Sequence, residues 1–269
     1  MSTSGNLSAS TQEYVEKYQK VKTLLISQPK PVDKSPYYDL EEKYGLTIDW
    51  RPFIHVEAVT EKEFRKNRIN LGEYNCVIFS SKGAIDNYFR LCEETRVKVS
   101  QETRYFCLTE AIANYLQKFI LYRKRKVFVG KRVIEDLAHY FNKYKNEKYL
   151  LPCSNVGSSE LVSYLNKIKV DHTEVIMYHT VSSDLSDLSD VYYDILVFFS
   201  PQGIESLFEN FPDFKQNDTR IAVFGNTTHK AAMEKGLYVN IKAPTPEVPS
   251  MTMALENYIS KSNGNSKSK

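Results

Sequence analysis

Where an apolar run ends on a serine and a helix starts in the next residue, free backbone amides and the positive end of the helix dipole make a place for an anion. This chain writes that pattern more than once. In "YDILVFFSPQGIESLF" (193–208) the run closes on Ser200, Pro201 suits the first helical position, and Gly203 leaves room for a group to approach the amides around Gln202. "YNCVIFSSKGAIDNYF" (74–89) repeats it with Ser80, Ser81 and Lys82. Related turns occur at "CLTEAI" (107–112) with Thr109, at "PCSNVGSSE" (152–160) with Ser154 and Asn155, and at "FGNTTHK" (224–230) with Gly225, Asn226, Thr227 and Thr228. Any one is ordinary helix capping. Five at strand carboxyl ends, where open α/β sheets bind ligands, point to an anion site.

Other chemistries lack their residues. There is no GxxxxGK[ST], GxGxxG or GxSxG, so neither a nucleotide fingerprint nor a nucleophile elbow is present. His55, His139, His172, His179 and His229 have no zinc spacing, and no metal site is expected. Cys76, Cys92, Cys107 and Cys153 form no CxxC and read as reduced, buried small hydrophobes. A net charge of +3 does not announce nucleic acid. "YRKRK" (122–126) reads as a solvated turn, with an anion-receiving patch as the competing reading. No run approaches the ~18 apolar residues of a membrane helix, and the first twenty residues lack a signal peptide's apolar stretch, so the expected compartment is the cytoplasm and no membrane partner is expected. What chemistry remains is binding and positioning, with one proton donor.

The elements that must position these residues follow from composition and periodicity. With 42% hydrophobic and 26% charged residues over 269 positions, the chain can bury a large core, in one large domain or two smaller ones. Apolar runs such as "VKTLLIS" (21–27), "NCVIFS" (75–80), "RYFCLT" (104–109), "KYLLPCS" (148–154), "DILVFFS" (194–200) and "RIAVFG" (220–225) alternate with helical-period segments. Such strands belong to parallel sheets covered on both faces, and the fold class is α/β. The two serine-ended units also match residue for residue: Tyr74 with Tyr193, Phe79 with Phe198, Ser81 with Ser200 and Phe89 with Phe208 lie 119 positions apart. Two copies of one α/β unit explain this. The first twenty residues and the last ten are polar and read as tails outside a folded part of about 21–260.

Taken in order, "LLISQPKP", "VIFSSKGAI", "VIMYHTV", "VFFSPQGIESL", "IAVFGNTTHKAAMEKGL" and "APTPEVPSMTMAL" resemble the uroporphyrinogen-III synthase family. The resemblance implies two similar lobes, each a parallel sheet flanked by helices, joined by a two-stranded antiparallel hinge. Residues 21–53 and 180–262 would form a discontinuous first domain, 54–179 an inserted second, and 1–20 and 263–269 flexible tails. It implies cyclisation of hydroxymethylbilane, a linear tetrapyrrole with eight carboxylates, to uroporphyrinogen III with ring D inverted and water lost, without a cofactor. Because the linear substrate closes unaided to the unrotated isomer, shape and anchoring outrank acid–base power. Helix starts from both lobes are expected to face one gap and grip the polyanion.

The resemblance also assigns roles. Tyr178 in "VIMYHTV" matches the family tyrosine proposed to protonate the departing hydroxyl; a phenol, with an ordinary pKa near 10, keeps its proton at neutral pH. The competing reading is that Tyr178 only packs or contacts substrate. Ser80, Ser81, Lys82, Thr109, Ser154, Asn155, Ser200, Pro201, Gln202, Gly203, Gly225, Asn226, Thr227 and Thr228 become substrate-binding residues. At "CLTEAIANYL" the chain has Leu108 and Ala111 where many members carry Gly and Thr, which leaves that loop's contact to Thr109 or to backbone amides. The expected assembly is a monomer, with hydroxymethylbilane synthase as a transient partner. A non-catalytic two-lobe module for a polycarboxylate and an enzyme for another polycarboxylate remain as alternatives.

Overall fold

In the computed structural model, residues 18–131, 133–157 and 159–264 are described. The tails expected at 1–20 and 263–269 fall mostly outside them. In chain order the elements are β1 (Thr23–Ile26), α1 (Pro36–Tyr44), β2 (Thr47–Trp50), β3 (Ile54–Ala58), α2 (Glu61–Arg65), β4 (Cys76–Phe79), α3 (Lys82–Glu94), β5 (Arg104–Cys107) and α4 (Glu110–Leu116). They continue with β6 (Val127–Val129), α5 (Ala138–Lys143), β7 (Tyr149–Ser154), α6 (Ser159–Lys167), β8 (His172–Ser182), β9 (Ile195–Phe198), α7 (Pro201–Asn210), β10 (Arg220–Phe224), α8 (Asn226–Glu234), β11 (Val239–Ala243) and α9 (Met251–Asn263). The chain divides into two compact units, residues 1–54 with 182–269 and residues 55–181.

The first unit is a parallel sheet in the order β11-β10-β9-β1-β2. Its strands are apolar throughout because both faces are covered. Ile195 and Val197 of β9 face a core with Leu24, Ile26, Leu255 and Ile259, while Leu196 and Phe198 face the opposite core with Phe53, Ile204 and Leu207. Full burial of such side chains contributes about 1.5–3 kcal/mol each. α9 runs to Asn263, past the point near residue 260 where the polar composition begins. The Asn263 side chain accepts from Val21 N–H at 2.7 Å and donates to Val21 O at 2.9 Å.

The second unit is ordered β3-β8-β7-β4-β5-β6, parallel from β8 to β6. With β3 set aside, it is the first sheet entered at a different strand: β4, β5, β6, β7 and β8 take the places of β9, β10, β11, β1 and β2. Cys76 and Ile78 face one core with Phe106, Phe141 and Tyr149, and Val77 and Phe79 face the other with Ile85, Tyr88 and Leu91. The α/β reading with parallel sheets flanked by helices is therefore correct. The edge strand β3 runs antiparallel to β8, because Ser183 N–H donates to Phe53 O and Val59 N–H to Met177 O, one number rising as the other falls. The chain leaves the first unit in β3 and returns in β8.

A helix in each unit bonds to residues that flank these strands. In the first, the Ser206 hydroxyl donates to Phe53 O at 2.5 Å, and the Asn210 amide donates to Ser183 O and accepts from Leu185 N–H, both at 2.9 Å. In the second, Arg90 of α3 donates to Val59 O at 2.7 Å.

All four cysteines are free and buried, and desolvation pushes the thiols of Cys76, Cys92 and Cys153 up to about 11 and that of Cys107 to about 12. Neutral, covered thiols are poor nucleophiles. A disulfide-exchange reagent at pH 8 should therefore leave all four unmodified in the native protein and titrate all four in denaturant. Rapid modification before unfolding would contradict the packing. "YRKRK" lies in an exposed turn, where Lys126 pairs with Glu102 at 2.6 Å and Arg123 donates to Gln101 at 3.0 Å.

Candidate active site

In the first unit the strand order reverses direction between β1 and β9, the position at which open α/β sheets bind ligands beyond their carboxyl ends. Ser200 leaves β9 extended, with φ −149° and ψ 154°, and its Oγ accepts from Gly203 N–H at 3.2 Å as Pro201 opens α7. A methyl group on Gly203 would lie 3.4 Å from Phe198 Cδ1 and 3.7 Å from each of the Ser27 and Ser200 hydroxyls. Glycine thus keeps a small hydroxyl-lined space open at the helix start. Ser27 was missed by sequence reasoning, although "VKTLLIS" ends on a serine as the other strands do.

At the end of β10, Gly225 takes φ 91° and ψ 153°, a conformation reserved for glycine, and donates to Ala243 O at 2.7 Å. Asn226 and Thr227 on the first turn of α8 are exposed. Thr228, expected beside them in the site, is 1% exposed and faces inward, one turn before buried Ala232. His229 is shifted toward its neutral form by partial burial and by Lys242.

The second unit places its own switch point between β7 and β4. Ser81 caps α3, its Oγ accepting from Ala84 N–H at 3.0 Å, the counterpart of the Ser200 cap. Ser80 precedes it, half-buried, and Lys82 is exposed with its Nζ 5.4 Å from the Tyr115 ring centroid. Tyr115 donates to Asp86 at 2.9 Å, which raises its pKa. Thr109 caps α4 through Ile112 N–H at 3.4 Å. Ser154 ends β7 without opening a helix, because a turn separates it from α6. The exposed Asn155 side chain accepts from Thr180 N–H at 2.7 Å and donates to Thr180 O at 3.3 Å, extending the ladder onto β8.

Tyr178 owes its position to an irregularity in β8. Cys153 pairs with Ile176 but Ser154 pairs with Tyr178, so Met177 is an extra residue. Alternation fails there: Met177 and Tyr178 are both buried, on the face covered by α3. A bulge of this kind re-aims a side chain. It sets the Tyr178 hydroxyl 2.9 Å from Ser81 Oγ, and the ring lies over Gly83, where a methyl group would come within 3.4 Å of Cζ and 3.6 Å of the hydroxyl. The result is a phenol, 9% exposed, held at the first turn of a helix whose amides favour negative charge.

Among the described residues no three His, Cys, Asp or Glu side chains gather as a metal would require, and no helix is long and apolar enough to cross a membrane. Within each unit the arrangement offers amides and hydroxyls at strand carboxyl ends, and in the second unit one phenol beside them.

Comparison with known proteins bears on family and fold. The family described as uroporphyrinogen-III synthase HemD matches residues 36–253. A mutant uroporphyrinogen III synthase from the extreme thermophile Thermus thermophilus superposes with a TM-score of 0.58 at 15% identity, over 89% of this chain and 99% of that one. The uroporphyrinogen-III synthetase of Helicobacter pylori 26695 gives 0.58 at 17% identity, again over 89% and 99%. No curated protein matches the sequence.

Proposed function

The chain belongs to the uroporphyrinogen-III synthase family, cyclising lyases of tetrapyrrole biosynthesis, and from that premise we propose how its own residues perform the reaction. The substrate is hydroxymethylbilane. Its carboxylates are taken by the helix starts of each unit: Ser200, Pro201, Gln202 and Gly203 with Asn226 and Thr227 in the first, and Ser80, Lys82 and Thr109 in the second. Each anion at a helix start gains about 0.3–1 kcal/mol, and up to ~2 when partly buried, so several together order a flexible polyanion without a large net charge.

Tyr178 is the proton donor. Its proton leaves with the ring A hydroxyl as water, and the azafulvene cation is attacked by the substituted carbon of ring D. The spiro intermediate then opens and closes again with that ring inverted. The observation that carries this reading is the Tyr178 hydroxyl bonded at the start of α3, among small hydroxyl residues and free amides. Four unpaired, buried thiols suit a reducing compartment, in keeping with a cytoplasmic enzyme. Delivery of the labile substrate by hydroxymethylbilane synthase as a transient partner, and a monomeric enzyme, belong to the same reading.

Ser200→Ala tests the anchoring role. It should cost about 1 kcal/mol of stability as a lost cap. It should also raise KM roughly 3- to 10-fold with kcat nearly unchanged, as expected for a contact made equally before and during reaction. KM should climb with ionic strength as well, because screening weakens these contacts. A drop in kcat at constant KM would reject the anchoring role.

A further inference from the structure

We infer that Ser81 is a positioning residue for the proton donor: it orients the Tyr178 phenol and stabilises the phenolate left behind when Tyr178 protonates the departing hydroxyl. This rests on the reading of Tyr178 given above, but it gives Ser81 a different task from the carboxylate contact that its place in the sequence suggests.

The geometry around Ser81 Oγ fixes the argument. The oxygen lies 3.0 Å from Ala84 N and 2.9 Å from the Tyr178 hydroxyl. A serine hydroxyl has one proton and two lone pairs, and the Ala84 amide occupies one lone pair. When Ser81 turns its proton toward Tyr178, the phenol keeps its own proton for the substrate. Ser200 makes the same cap in the first unit, with Gly203 N–H at 3.2 Å. Among the described residues, no tyrosine hydroxyl is bonded to it. The pairing of cap and phenol thus belongs to α3, where Gly83 leaves the ring free to lie against the first turn.

The consequence appears as charge moves. The carbon–oxygen bond of the hydroxymethyl group breaks with its electron pair on oxygen, the Tyr178 proton completes a water molecule, and azafulvene cation and phenolate remain. The Ser81 hydroxyl then donates to an anion, a bond roughly twice as strong as the neutral one. The Ala84 amide and the start of α3 polarise it further. A contact that strengthens while charge develops lowers the barrier rather than tightening substrate binding. After ring closure, the pyrrole regains aromaticity by releasing a proton, the phenolate takes it up, and the net loss is one water.

The test is steady-state kinetics on fresh hydroxymethylbilane with Ser81→Gly, Ser81→Thr, Tyr178→Phe and the Ser81→Gly/Tyr178→Phe double variant. Glycine is nearly as good a helix cap as serine, so Ser81→Gly removes the hydroxyl while keeping the fold. Ser81→Gly should lower kcat about 10- to 100-fold, the worth of a hydrogen bond to a charged group, with KM little changed. Ser81→Thr should restore most of the rate. In the Tyr178→Phe background, Ser81→Gly should have no further effect on kcat, since no phenolate forms. Raised KM with kcat kept in Ser81→Gly, or effects that multiply in the double variant, would overturn the role of Ser81 while leaving Tyr178 as the donor. Near-full rate in Tyr178→Phe would remove the donor itself and this inference with it.

Discussion

Replacing Tyr178 with phenylalanine should lower kcat by roughly 10²- to 10⁴-fold, the usual worth of a positioned general acid. The ring stays on the α3 face of β8, so only a hydroxyl and its bond to Ser81 are lost. Stability should therefore fall by about 1 kcal/mol or less. The donor matters because water is a far better leaving group than hydroxide, and the azafulvene cation cannot form until the oxygen departs. KM should change little, because the carboxylate anchors lie on other residues. Rates under saturating substrate, with melting curves beside them, decide the matter. A variant that turns over at nearly the parent rate would show that Tyr178 only packs.

The largest stability effect is expected from Phe106→Ala. Phe106 is fully buried in β5, with ring centroids of Phe128, Phe141 and Tyr149 at 5.0, 5.1 and 5.1 Å. Its neighbours Tyr105 and Cys107 face the opposite core, so the cavity opens in the layer of α5 and α6 with little left to collapse into it. Truncating such a ring costs about 3–5 kcal/mol, a large part of the 5–15 kcal/mol that ordinarily holds a domain folded. Denaturant titration should show a markedly lower midpoint, whereas Val32→Ala, at a side chain 99% exposed, should leave it unchanged. A Phe106→Ala variant as stable as the parent would contradict the aromatic core.

The local parts of this architecture were readable in the sequence. Strands ending on serine and helices starting at once are properties of a few neighbouring residues, and Ser81, Thr109 and Ser200 all cap as their contexts imply. What escaped is non-local or depends on which way a side chain turns. The extra residue at Met177 is a mismatch of count between β7 and β8, which no window along β8 reveals, yet it decides where Tyr178 points. Asn155 also reaches the backbone of Thr180, a partner 25 positions away that no local pattern shows. Thr227 is exposed while Thr228 is buried with Ala232 as a helical i, i+4 pair, a facing that residue type alone does not announce. The different strand at which the second sheet is entered also lies beyond any local pattern, although the 119-residue offset marked its best-matched part.

The most direct measurement is to supply freshly prepared hydroxymethylbilane to the full-length protein and separate the uroporphyrinogen isomers formed. Anchored carboxylates and a donor at Tyr178 predict the type III isomer, made faster than the unaided closure. Type I product alone, at the rate seen without protein, would contradict the account.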